Sequence, residues 1–325
     1  MLSQTLKNSG SLLDSIDAIR NGRAVALLLA TFVAAVLVFA FGGLLARVTW
    51  FFFAVFALLA YAVLFYGTNA VGMMMMDEAR GEPSRPMGAA LIGSLAQSHR
   101  LILVMLLTGL VYLAGLLALA LILFLCKAPI LGPMLYIVVF PVSVAIVGLA
   151  MFALPTVIFP LAAPAVWSGA GVTQCVSQLL AIARKRLFTV LLLMIAVTFI
   201  AGFVGMLIGA VVVGGTAVTT ALSAPILGGG GGLGFPGMGG GMRGGFGSGM
   251  DGMLGGAMDM FGGMAGGSHA MAAMMGASVL FAIAFTLPML VYLRGACTVY
   301  LRAVDGLDLA AEQAAMEEKL ATART

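Results

Sequence analysis

Charge is what this sequence has least of. Asp, Glu, Lys and Arg make up 9% of its 325 residues, against about a quarter in a soluble globular domain. A chain so poor in charge cannot cover a water-facing surface, which excludes an ordinary soluble fold. Histidine occurs twice, at His99 and His269, and cysteine three times, at Cys126, Cys175 and Cys297. No spacing among them matches a zinc site or a redox pair, and no glycine-rich phosphate loop is present. In the topology set out below the two histidines lie on opposite faces of the membrane, and only Cys126 stands near the outer one. The two histidines therefore cannot share a site and a disulfide framework is excluded; a Ser, His and Asp triad is not expected, since the outer acids Asp251 and Asp259 stand in a glycine-rich segment that does not preorganise catalysis. No catalytic, cofactor-binding or metal-binding residue is assigned, and the chain reads as no enzyme.

Apolar residues fill the space that charge leaves. They make up 62% of the chain, with a mean hydropathy of +1.15. Six uncharged runs are long enough to cross a hydrocarbon core about 30 Å thick: residues 24–46, 48–76, 101–126, 128–163, 187–213 and 270–293. The expected fold is all-α, a polytopic membrane protein of six transmembrane helices in three hairpins with interfacial amphipathic helices. Pro133, Pro141, Pro155 and Pro160 are expected to kink or shorten the fourth span. The 23 residues before the first span include Asp14 and Asp17 and lack a cleavage pattern, so the first helix is expected to stay attached.

Orientation follows from the cations. With the N-terminus in the cytoplasm, thirteen of the sixteen Lys and Arg fall on the inner side, leaving Arg47, Lys127 and Arg243 outside. That satisfies the positive-inside rule and places both termini in the cytoplasm, with a bacterial inner membrane as the expected location. The basic balance then records topology, and nucleic acid is not an expected partner. Trp50 and Trp167 are expected as interfacial anchors at the outer and inner faces.

A unit recurs three times. "SLLDSIDAIRNGR", "PMGAALIGSLAQSHR" and "GVTQCVSQLLAIARKR" each place apolar residues at helical spacing before a basic end. The apolar faces are Leu12, Leu13, Ile16 and Ile19; Leu91, Ile92 and Leu95; and Val172, Cys175, Val176 and Leu179. Each is expected to lie along the inner interface, with Arg23, Arg100 or Arg186 anchoring the chain where it turns into the bilayer. After each even span a glycine turn follows, at Gly81, Gly169 and Gly306. The single membrane domain thus divides into an N-terminal interfacial helix (1–23), hairpin one (24–76), interfacial helix with hairpin two (84–163), interfacial helix with hairpin three (171–293) and a cytoplasmic tail (294–325).

The stretch "FPLAAPAVWSGAGVTQCVSQLLAIARKRLFTVLLLMIAVTFI" resembles the multi-pass membrane domain fused to some bacterial glycerophosphodiester phosphodiesterases, and related uncharacterised bacterial families. Pro164, Ser177 and Arg184 to Arg186 carry the likeness, while Trp167 and Ser168 stand where that pattern has an acidic residue. The resemblance implies a fold. No phosphodiesterase domain accompanies it.

Between the last two spans, residues 228–267 hold 21 glycines and 7 methionines. The first part is too rich in glycine to hold a helix. Met250, Met253, Leu254, Met258, Phe261 and Met264 then recur at threes and fours, forming a ridge that a partner can order. Methionine fits irregular grooves, so the segment is read as an outer contact arm and the protein as an accessory or scaffold subunit of a membrane assembly. Its expected partners are membrane lipids and other membrane or periplasmic proteins. Two other readings compete: a small-solute or lipid-handling transport protein, and Cu(I) gathering by thioethers of the same segment.

Overall fold

The computed structural model describes residues 14–46, 49–127, 132–154, 158–226 and 268–305. Among these the only regular structure is helical. A short 3-10 turn at Asp14–Arg20 leads into α1 (Gly22–Leu45), α2 (Trp50–Ala79), α3 (Met87–Leu125), α4 (Gly132–Ala153), α5 (Phe159–Trp167), α6 (Val172–Lys185), α7 (Leu187–Ile226) and α8 (Ser268–Val304). Six of these helices, α1 to α4, α7 and α8, are long and apolar enough to cross a membrane. The chain is a polytopic all-α protein.

Local chemistry explains the boundaries. Asn21 ends the 3-10 turn and caps α1, its Oδ1 accepting from the Ala24 N–H at 3.2 Å. The α2–α3 connection turns at Gly81 and the α5–α6 connection at Gly169, with φ of 76° and 91°. Both are left-handed conformations that only glycine adopts cheaply, as expected for the first two glycine turns; Gly306 lies outside the described residues. Pro160 stands in the first turn of α5, where its missing donor costs nothing. The proline-rich fourth span is accordingly two helices, α4 and α5, and Pro141 falls within α4.

The helix breaks differ at the three basic ends. At the third, α6 ends at Lys185, Arg186 breaks the helix with φ −136° and ψ 16°, and α7 follows. At the second there is no break. α3 runs unbroken from Met87 to Leu125 with Arg100 in its interior, because nothing between Gly93 and Leu125 stops a helix except a few tolerable glycines. At 1.5 Å per residue it is about 58 Å long. Its expected apolar face, Leu91, Ile92 and Leu95, is exposed, while Ala90, Ser94 and Ser98 are buried. Ser94 explains the choice of face: its hydroxyl donates to the Tyr66 carbonyl of α2 at 2.6 Å, so the small side permits the close approach. In the first copy the described part is the 3-10 turn, and Arg23 is already inside α1.

The residues fall into two compact units. One comprises Leu29–Val63 and Phe203–Leu287. Aromatic edges join its helices: Phe39 meets Phe53 and Phe41 meets Phe56, with ring centroids 5.5 and 5.2 Å apart, and Phe32 meets Phe285 at 5.9 Å. Gly42 lets α1 and α2 touch, since a β-carbon there would lie 2.5 Å from Phe56 Cβ.

The other unit comprises Met1–Leu28, Leu64–Gly202 and Pro288–Thr325. Every described Asp, Glu, Lys and Arg belongs to it. Its core includes Met73, Met74, Met75 and Met76, all fully buried, with Leu161, Ile182, Leu290 and Val291. α3 packs on α5 and α6, and α5 on α6.

Candidate functional site

The last turns of α2 organise the charged unit. Asp77 is 5% exposed, and burying a carboxylate requires a partner. Arg85 supplies one in fork geometry: Nε donates to Oδ2 and Nη2 to Oδ1, each at 2.6 Å, and the Arg85 backbone N–H adds a third bond at 3.3 Å. The hydrogen bond with Asp77 raises the guanidinium pKa above its ordinary value, against an opposing cost of burial. The pair closes the turn between α2 and α3.

Glu78 reaches two other parts of the chain. Arg294 Nη1 of α8 donates to its Oε1 at 2.6 Å, and Asn21 Nδ2 donates to its Oε2 at 3.2 Å. One carboxylate thereby ties the start of α1, the end of α2 and the middle of α8. Arg80, two residues on, donates from Nη2 to the Ser168 carbonyl at the end of α5, 3.1 Å away.

A second set of contacts is buried. Trp167 Nε1 donates to Asn69 Oδ1 at 2.9 Å, while Asn69 Nδ2 donates to its own helix at the Phe65 carbonyl. The indole lies against Gly72, where any β-carbon would overlap its benzo ring. Gly295 of α8 is matched in the same way to Val197 of α7. Tyr300 OH donates to Gln178 Oε1 of α6 at 2.7 Å and lies 3.4 Å from Ser168 Oγ. Cys175 of α6 is fully buried, and burial pushes its thiol up to about 11, with Arg100 pulling the other way.

The sequence-derived residues meet this arrangement only in part. Met250, Met253, Leu254, Met258, Phe261 and Met264 lie outside the described residues. Trp50 is 71% exposed and stacks against Phe53, and Arg23 is exposed. Trp167 is 5% exposed with its N–H satisfied inside the protein, so the indole donor expected at headgroup level is spent on Asn69. Arg186 turns inward as well, donating to the Arg302 and Asp305 carbonyls at 3.2 and 2.7 Å and capping the end of α8.

Sequence reasoning missed Asn69, Asp77, Glu78, Arg85, Arg294, Gln178 and Tyr300. One signal was available: "MMMMDEARGEPSR" sets two acids directly after an apolar run and two arginines within the next turn. The spans as drawn from sequence held no Asp, Glu, Lys, Arg or His; the helices as observed continue past the apolar runs and take in Asp77, Glu78, Arg100, Arg294 and Arg302. Neighbouring elements there supply partners that the sequence alone does not reveal.

Six helices long and apolar enough to cross a bilayer define an integral, multi-pass membrane protein. No family model, curated protein or solved structure matches the chain.

Proposed function

We propose that this chain is a non-enzymatic accessory or scaffold subunit of a membrane assembly, with residues 228–267 as its contact arm. The observation that carries the reading is the closure of the polar network. Asp77 is taken by Arg85, Glu78 by Arg294 and Asn21, Trp167 by Asn69 and Tyr300 by Gln178. Groups spent on one another across long sequence separations hold helices in place and are not held open for a solute. Helices fixed to one another in this way suit a protein that organises others.

The resemblance to the membrane domain of glycerophosphodiester phosphodiesterases belongs to the same proposal. Of the residues that carry it, Pro164 is buried within α5, Ser177 is buried in α6 with its hydroxyl on the Gln174 carbonyl, and Arg184 and Lys185 form the basic end of α6. We place the protein in a bacterial inner membrane with both termini in the cytoplasm, on the distribution of its cations.

Photo-crosslinking in intact membranes tests the reading. Probes at Met253 and Phe261 are expected to capture a discrete protein, and a triple serine replacement of Met253, Phe261 and Met264 is expected to abolish capture while the protein still accumulates. Leucine at the methionines should preserve capture, since it keeps the apolar area. Cu(I) binding lost on that leucine replacement would favour the metal reading. Unchanged association after deletion of 228–267 would remove the arm, and with it the scaffold assignment.

A further inference from the structure

The end of α8 lies beside the end of α6. Arg186, the residue directly after α6, donates from Nη1 to the Arg302 carbonyl at 3.2 Å and to the Asp305 carbonyl at 2.7 Å. The chain after Asp305 therefore sets out next to Arg184 and Lys185, the exposed basic end of α6. Residues 306–325 themselves lie outside the described residues.

α6 keeps a narrow exposed stripe. Cys175, Leu179 and Ile182 are buried in the unit, whereas Thr173, Leu180 and Arg184 are exposed and Val176 is half-buried. At helical spacing these last four share one face, which runs from a hydroxyl through two apolar side chains to a cation. Arg184 makes no hydrogen bond or ion pair with any described residue.

The sequence after α8 complements that stripe. Residues 306–318 hold four acids, Asp308, Glu312, Glu317 and Glu318, and no base. In helical register Asp308 and Glu312 stand one turn apart and share a face with Leu309, Met316 and Leu320. Order decides the direction. On that face the acids precede Met316 and Leu320, while on α6 Val176 and Leu180 precede the cations, so an antiparallel path sets acid on base and apolar on apolar. Arg184 stands two residues from the side chain that holds Asp305, and the seven residues from Asp305 to Glu312 can span up to about 25 Å. Exposed ion pairs are individually weak. Tethering offsets this, because a segment attached beside its site meets it at high effective concentration.

We propose that the segment after α8 folds back antiparallel along the exposed stripe of α6, with Asp308 and Glu312 at Arg184 and Lys185, and Met316 and Leu320 over Leu180 and Val176. This assignment stands independently of the scaffold reading, which rests on residues 228–267.

The test is disulfide trapping in the full-length protein in nanodiscs, with the three native cysteines replaced by alanine. L180C/M316C is expected to form a bond within one chain on mild oxidation, and T173C/L309C, which the antiparallel path holds apart, is expected to form far less. R184Q/K185Q should slow the first reaction roughly two- to tenfold, the effect of two exposed ion pairs. R184E/K185E should slow it further, and adding D308K/E312K should restore it, a recovery that general damage to α6 does not give. Four outcomes overturn the proposal. Bonds between chains in place of bonds within one would give the stripe to a second copy. Equal trapping of the two pairs would show an undocked tether, and trapping indifferent to charge reversal would remove the acid and base contacts. Trapping in detergent that discs of phosphatidylglycerol abolish would assign the stripe to anionic lipid.

Discussion

Trp167 and Asn69, 98 positions apart, share a buried 2.9 Å hydrogen bond, and the same indole rests on the bare backbone of Gly72 one turn further along α2. The contact fixes α5 against α2 by one donor, one acceptor and one missing side chain. Asn69→Leu leaves the indole N–H buried and unpaired, at an expected cost of about 1–3 kcal/mol. Gly72→Ala forces the ring aside and costs a similar amount, about 1–3 kcal/mol. In a Trp50→Phe background the fluorescence of Trp167 reports both. Its emission should move to longer wavelength in Gly72→Ala, and an unmoved maximum with unchanged unfolding would contradict the packing described.

The Glu78 clamp predicts coupling between helices that are remote in sequence. In a double-mutant cycle with Glu78→Gln and Arg294→Gln, the interaction energy is expected at roughly 0.5–2 kcal/mol. Glu78→Gln should also couple to Asn21→Ala, while Asp77→Asn should couple to Arg85 and not to Arg294. Additivity across the Glu78 and Arg294 pair would show that the ion pair holds nothing.

At Gly81 and Gly169 a β-carbon would meet no neighbour within 4 Å, so only the positive φ opposes substitution. Alanine at either position should cost about 1–2 kcal/mol, and asparagine less, because its side chain tolerates the left-handed region. A cost equal for both replacements would point to a lost contact and not to backbone strain.

The buried thiol of Cys175 gives a pH dependence. Its ordinary value is 9.0 and burial raises it to about 11, so between those values an unfolded chain releases a proton that the folded one keeps. Stability should therefore fall as pH rises from about 9 and level off near 11, and Cys175→Ala should remove that part of the slope. At neutral pH the thiol should resist maleimide until the protein unfolds, whereas a folded protein that labels readily at Cys175 would place it at the surface.

Topology is tested by cysteines added to a background in which the three native ones are replaced. A cysteine at Ser248 is expected to react with an impermeant reagent from outside, and one at Glu82 to react only after permeabilisation. The reverse pattern would turn the protein over and move the arm into the cytoplasm.

How much of this was readable in the sequence depended on the kind of force involved. Long apolar runs announce spans regardless of their neighbours, so the number of spans was legible, while the limits of the third and fourth were not. Gly81 and Gly169 were readable because a left-handed residue is a local demand. The interfacial helix before Arg100 was not, because whether a helix stops there depends on what packs against Ser94 and Ser98. Trp167 was misplaced for a similar reason: tryptophan at the end of a span fits a headgroup region and a glycine-lined pocket equally well, and only Gly72, almost a hundred residues away, decides. Asp77 and Glu78 were passed over because their partners, Arg85 in the following turn and Arg294 from the last span, are not evident from the local sequence.

Four consecutive fully buried methionines at the end of α2 have a bearing on biogenesis. Successive residues on a helix point 100° apart, so Met73 to Met76 sweep nearly the whole circumference, and every direction around that segment is occupied by protein. Part of the same compact unit, Pro288 onward, is synthesised well after it. The ribosome therefore releases the first hairpin long before its final neighbours exist, and the thioethers spend that interval against lipid or a chaperone. An unbranched side chain that is at ease in either setting suits a surface obliged to wait.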